Sequence, residues 1–294
     1  MVRELTLSEK EIGMKYKIVG DSCCDFTKEE LKSKRFVSVP LRLIVGETEL
    51  LDDASLNIED FMNLLDSTDE ASKSACPSPD AYMQAYEGAK NVFVVTLSAK
   101  LSGSYNAAEL AKDLFLEDHM DVNIHVFDSK TAAAGQYIIC KKIEECVEAG
   151  MSYQNVVDTV EAFIERQETV FVLDDLSVMI KNGRVSRLKG NIASVLSIKP
   201  VLIGIDGEIH QADQGRGMNK ALNLLLGYIK KSNYDKDNLV VISCTDAVSI
   251  NRCKNVRKIL MEEFGFKNVT LLEGHGLTTM YANRGGVIVT YFKK

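Results

Sequence analysis

The chain has 294 residues, 46% of them hydrophobic and 26% charged, with a net charge of −7. That is the composition of a globular protein long enough for two domains. The charge argues against broad binding to nucleic acid or to an anionic membrane surface, and no apolar run approaches the roughly 18–20 residues needed to span a bilayer.

In chain order, residues 1–14 form a polar leader or disordered arm that lacks the apolar centre of a signal peptide. Strands are predicted at 16–20, 36–45, 91–96, 122–127, 169–173, 199–205, 239–244, 268–273 and 286–292. Helices between them start at recognisable caps. Thr27 and Glu30 form a capping box, and Ser78-Pro79-Asp80 supplies a cap, a first-turn proline and a dipole-matched acid. Ser152 precedes an apolar stripe of Val156, Val157, Val160, Phe163 and Ile164. Beyond about residue 165 the elements shorten between glycines, and Asp206-Gly207 reads as a hairpin turn joining 198–205 to 208–212. The expected architecture is α/β: an N-terminal parallel-sheet α/β domain over 15–165, packed on a C-terminal α+β domain over 166–294 with a more antiparallel sheet. No coiled-coil seam or long apolar edge is visible, so a monomer is expected.

The most informative stretch is 91–115, where an apolar strand runs into a hydroxyl-rich turn (Ser98, Ser102, Gly103, Ser104) and then a helix. Ser102 either caps that helix or, with the free amides of its first turn, binds an anion. No Walker loop or G-x-G-x-x-G is present, so a carboxylate or lone phosphate fits better than a nucleotide. Polar loops also follow other apolar runs, at Asp21-Ser22 and Asp128-Ser129, and Ser74 to Pro79 forms a loop of its own. Each serves as a turn or cap singly; those after strands 1, 3 and 4 of the series should share one edge of a parallel sheet. The segment 181–190 presents Lys181, Arg184, Arg187 and Lys189, either as a solvated face or as an anion-handling surface. Arg216 and His275 each stand between two glycines. Seven cysteines without C-x-x-C and four histidines without H-E-x-x-H spacing predict no metal and suit a reducing, cytoplasmic compartment. A hydrolase using Ser102 and His275 is an alternative, although the chain has no G-x-S-x-G elbow.

Seven segments in this order resemble the DegV family of bacterial fatty-acid-binding proteins: VGDSCCDFT (19–27), SACPSPDAYMQAY (74–86), LSAKLSGSYNAA (97–108), FDSKTAAAGQ (127–136), LDDLSVMIKNGRVS (173–186), LSIKPVLIGIDGEI (196–209) and EGHG (273–276). The family is similar to the substrate-carrying subunit of bacterial fatty-acid kinase. The resemblance implies one buried long-chain fatty acid (C14–C18), no cofactor, and no catalysis by the carrier itself. A separate ATP-dependent kinase subunit would phosphorylate the carboxyl group. It implies that Ser74, Ser102, Gly103, Ser104 and His275 hold the carboxylate, and that Arg184 and Arg216 serve kinase docking or phosphoryl handling. A lipid carrier or sensor without a kinase is the other binding reading. The chain departs from the family pattern at Ser74-Ala75-Cys76-Pro77-Ser78, usually T-S-x-P-S, and at Ser104, usually threonine. It also has Asn182 for a glycine, a residue type that tolerates a left-handed turn.

Overall fold

Buried apolar strands separated by crossover helices form the first sheet, because strands covered on both faces read as near-continuous apolar runs. In the computed structural model, which describes residues 14–68, 72–185 and 197–294, this sheet has the order β2-β1-β6-β7. Its strands are β1 (Met14–Asp21), β2 (Phe36–Val39), β6 (Ala89–Thr96) and β7 (Asn123–Asp128), all parallel. The carboxyl ends of β1, β6 and β7 therefore share one edge, as their polar loops suggest. The sequence-derived arm up to residue 13 and the candidates Arg187 and Lys189 lie outside the described residues.

The second large sheet has the order β10-β9-β8-β13-β11-β12. Its strands are β8 (Gln167–Val172), β9 (Ile198–Ile205), β10 (Glu208–Arg216), β11 (Leu239–Cys244), β12 (Asn268–Glu273) and β13 (Val287–Phe292). Every pairing is antiparallel except β11 with β12. The Asp206-Gly207 hairpin is present, with φ of 47° and 80° at the two residues, the pair of positive angles that a tight primed turn requires. Its second arm runs on to Arg216 through a bulge between Gln211 and Asp213.

The helix Ala134–Glu148 lies between the two sheets. It buries Ala134 to Cys140 without a gap, together with Ile143 and Cys146, so it has almost no solvent face over its first half. Tyr16, Ile18, Phe93 and Val95 of the first sheet and Val241, Leu272 and Phe292 of the second join it in one continuous core.

Three expectations are corrected. The strand predicted over 36–45 is two strands, because Pro40-Leu41 interrupts it. Its second part, β3 (Arg42–Val45), leaves the parallel sheet and pairs with β4 (Thr48–Leu51) and β5 (Lys73–Ala75). Ser74 accordingly sits in a strand, opposite Leu43, and not in a loop. Asn182 has φ −90° while Gly183 takes the left-handed angle of 70°. The Asn182 amide instead donates to the Ser72 and Val178 carbonyls at 2.7 and 2.8 Å.

Candidate functional site

The loop after β6 is shaped by carboxylates at the ends of its neighbours. Asp21, at the end of β1, accepts the Leu97 amide at 2.7 Å and the Gln136 side-chain amide at 2.9 Å. Asp128, at the end of β7, accepts the Ala99 and Lys130 amides at 3.1 and 3.0 Å. Held between them, residues 97–103 turn into the helix Ser104–Asp118. Gly103, not Ser102, occupies the cap position. The Ser102 hydroxyl stands one residue earlier, where it accepts the Ser104 amide at 3.2 Å and lies 3.1 Å from the Ser104 hydroxyl. From the far side the hairpin turn docks on this loop, the Ser98 hydroxyl donating to the Gly207 carbonyl at 2.8 Å.

These segments wall a cavity of about 370 Å³, within the range of small-molecule sites. Leu41, Leu97, Leu101, Phe171, Met179, Ile209, Leu277 and Ile288 make its walls mainly apolar. Besides Lys130, Arg184, Glu208 and Thr278, two groups of hydroxyls interrupt this lining. Ser74 lies 3.2 Å from the Tyr281 hydroxyl, and both face the cavity with Ser102 and Gly103. A Cβ on Gly103 would stand 3.1 Å from the Cys76 sulfur, so the glycine lets β5 and the helix start come together there. Elsewhere on the wall are Thr131 and Thr169, their hydroxyls 2.9 Å apart.

The helix Gly276–Ala282 supplies Leu277, Thr278, Tyr281 and Ala282 to the wall. Its first turn is fixed by two buried carboxylates from the N-terminal half. Asp52 accepts the Gly276 and Leu277 amides at 2.7 and 2.9 Å and the Ser22 hydroxyl at 2.8 Å. Asp25 accepts the His275 amide at 2.7 Å and the Thr278 hydroxyl at 2.8 Å. The free amides at the start of this helix are thus satisfied by the protein itself. Burial pushes the Asp25 carboxyl well above the usual range and raises Asp21 to about 6, against the lowering effect of its hydrogen bonds. Burial also lowers the His275 imidazole from its ordinary value.

Of the residues predicted from sequence, Ser74, Ser102, Gly103 and Arg184 line the cavity. Ser104, His275 and Arg216 do not. The Ser104 side chain is fully buried beside Asp21, which its hydroxyl helps to stabilise. His275 caps the helix behind the wall, and Arg216 is exposed at the end of β10. Among the described residues no hydrogen bond joins Ser102 to His275, the pair a hydrolase would require, and no group of three or more His, Cys, Asp or Glu is arranged to hold a metal. None of the described helices is long and apolar enough to cross a membrane. Tyr281, Thr131 and Thr169 were not legible as site residues. Tyr281 had only the EGHG turn before it as a signal, and the threonines meet through tertiary structure alone.

Residues 15–294 match the family described as uncharacterised protein, DegV family. A DegV domain-containing protein of Streptococcus pneumoniae is 36% identical over 281 residues, covering 95% of this chain and 99% of that protein. A DegV-family crystal structure from Ruminococcus gnavus, refined with vaccenic acid, has a TM-score of 0.88 at 37% identity, covering 94% of this chain and 99% of its own. The Fatty Acid Kinase (Fak) B3 protein of S. pneumoniae, loaded with linoleic acid, has a TM-score of 0.88 at 35% identity, covering 96% of this chain and 100% of its own.

Proposed function

We propose a carrier function for this chain, which belongs to the DegV family: it binds one long-chain fatty acid, C14–C18, with the acyl tail in the cavity and the carboxylate at Ser74, Ser102 and Gly103. The observation that carries this reading is the cavity itself, apolar along most of its wall and hydroxyl-lined where Ser74, Ser102 and Tyr281 face it. Burying a tail gains roughly 0.8 kcal/mol per methylene, so the tail supplies most of the affinity and the hydroxyls set its direction. A carboxylate taken out of water needs hydrogen-bond donors or it protonates. The Ser102, Ser74 and Tyr281 hydroxyls and the Gly103 amide are that donor set. Ser104 and His275 act one layer back: Ser104 bonds to Ser102, and His275 fixes the start of the helix that carries Tyr281.

The carrier reading extends to a partner. A separate ATP-dependent kinase subunit would phosphorylate the presented carboxylate, with Arg184 at the cavity wall and exposed Arg216 serving docking or phosphoryl handling. The protein itself would perform no catalysis and would work as a cytoplasmic monomer, with the ligand held between a unit of residues 15–165 and one of 166–294. Similarity to the Fak B3 protein supports this. The test is to incubate the lipid-loaded protein with ATP and a fatty-acid kinase subunit and trap acyl phosphate with hydroxylamine. Product from the wild type, lost in Arg216→Ala with bound fatty acid retained, is the expected result. No product with a kinase subunit that is active on another carrier would leave a lipid carrier or sensor without a kinase.

A further inference from the structure

The second polar stretch of the cavity wall is not among the residues proposed above for the carboxylate. Thr169 on β8 and Thr290 on β13 are directly opposed, and their hydroxyl oxygens lie 2.9 Å apart. Such a pair alone is an ordinary cross-strand contact. Here it is extended from the other half of the chain by Thr131, whose hydroxyl is 2.9 Å from that of Thr169. On the same face of the sheet the next rung is Phe171 opposite Ile288, both on the cavity wall. Ile288 packs in the same apolar cluster as Tyr281. Along β8 and β13 an apolar rung, about 7 Å away, therefore follows the Thr169–Thr290 pair.

Three hydroxyls in a row carry three protons, and the two contacts between them use only two. Thr290 is fully buried and, among the described residues, Thr169 is its only side-chain hydrogen-bond partner. The row is satisfied when Thr290 donates to Thr169 and Thr169 to Thr131. The third proton then emerges on Thr131, where the acceptor at hand is the Ala132 carbonyl at 3.5 Å, the limit of a hydrogen bond. A hydroxyl donor with so weak an acceptor, on the wall of a mainly apolar cavity, is matched by an oxygen on the ligand.

We propose that Thr131 and Thr169 form a polar subsite for an oxygenated acyl chain, one bearing a hydroxyl or keto group along its length, whose oxygen accepts the Thr131 proton. This rests on the fatty-acid reading of the cavity and adds the class of chain that it favours. The experiment is calorimetry on the delipidated full chain with stearic, 10-hydroxystearic and 12-hydroxystearic acids, for the wild type, Thr131→Val and Thr169→Val. Each variant's stearate binding reports that its cavity has formed, and Thr131→Val leaves the Thr169–Thr290 pair intact. The expected result is that, for at least one hydroxy acid, the ratio of its affinity to that of stearate falls about fivefold or more in the variants. Equal ratios in the wild type and Thr131→Val would overturn the subsite while leaving fatty-acid binding in place. Failure of all three acids to bind the wild type would overturn both.

Discussion

The Ser74 hydroxyl lies 3.2 Å from the Tyr281 hydroxyl, although 207 positions of sequence separate them. The contact joins the three-stranded sheet of the N-terminal half to the last helix of the chain, across the wall of the cavity. It means that the site proposed for the carboxylate draws on both halves of the chain, so neither half would carry it alone. On the proposed reading, Ser102→Ala and Tyr281→Phe each remove one donor to the ionised carboxylate, a loss of roughly 1.5–3 kcal/mol. Stearate affinity should fall by about tenfold or more in each, read by calorimetry, with the melting temperature little changed for Tyr281→Phe.

Asp52→Ala should be far more damaging than either. It strips the Gly276 and Leu277 amides and the Ser22 hydroxyl of their shared acceptor inside the protein. Loss of a buried, multiply hydrogen-bonded carboxylate costs roughly 3–5 kcal/mol. Urea unfolding should show that loss. Stearate binding should weaken with it, because Leu277 and Tyr281 reach the wall from the same helix.

Asp21 makes stability depend on pH with a definite sign. Its folded pKa is raised from 3.8 to about 6 by burial, so the folded state holds the proton more tightly than the unfolded chain. Its contribution is fully present below pH 3.8 and is lost as pH rises through about 6. Relative to the wild type, Asp21→Asn should therefore gain on the order of 3 kcal/mol between pH 4 and pH 7. The asparagine amide also has an acceptor in reach after a local flip, since the Gln136 side-chain oxygen is buried without a hydrogen-bond partner. Denaturation of both proteins across that range measures the difference; parallel curves would contradict it.

Gly207→Ala tests how the hairpin is docked. The residue has φ of 80°, and an added Cβ would fall 2.4 Å from the Ser98 hydroxyl. Backbone strain and displacement of the Ser98 contact should together cost roughly 1–3 kcal/mol. The cavity wall at Ile209 should loosen, seen as faster ligand release.

The fold was legible where local chemistry decides it. The Thr27–Glu30 capping box, the Ser78 and Ser152 caps and the Asp206-Gly207 turn are all present, because each depends on residues within a few positions of one another. The three-stranded sheet was not, since β4 and β5 are short, mostly exposed strands that carry no periodicity. Ser74, Ser102, Gly103 and Arg184, which line the cavity, lie in segments whose order carries the family resemblance, as do Ser104 and His275, which do not line it. The sequence points to the His275 side chain as a group for the ligand. The structure instead uses its backbone amide as a donor to Asp25, a buried partner 250 positions away that no local pattern discloses. Thr131 and Thr169 were invisible for the same reason, each being an ordinary threonine until the two halves meet.

Mass spectrometry of the protein purified from a bacterial host, intact under native conditions and again after organic extraction, decides whether the cavity carries an acyl chain. The expected result is one C14–C18 fatty acid per chain, lost on extraction and diminished in Ser102→Ala. A wild-type protein that carries no lipid, and after delipidation binds neither stearate nor any other long-chain acid, would contradict it.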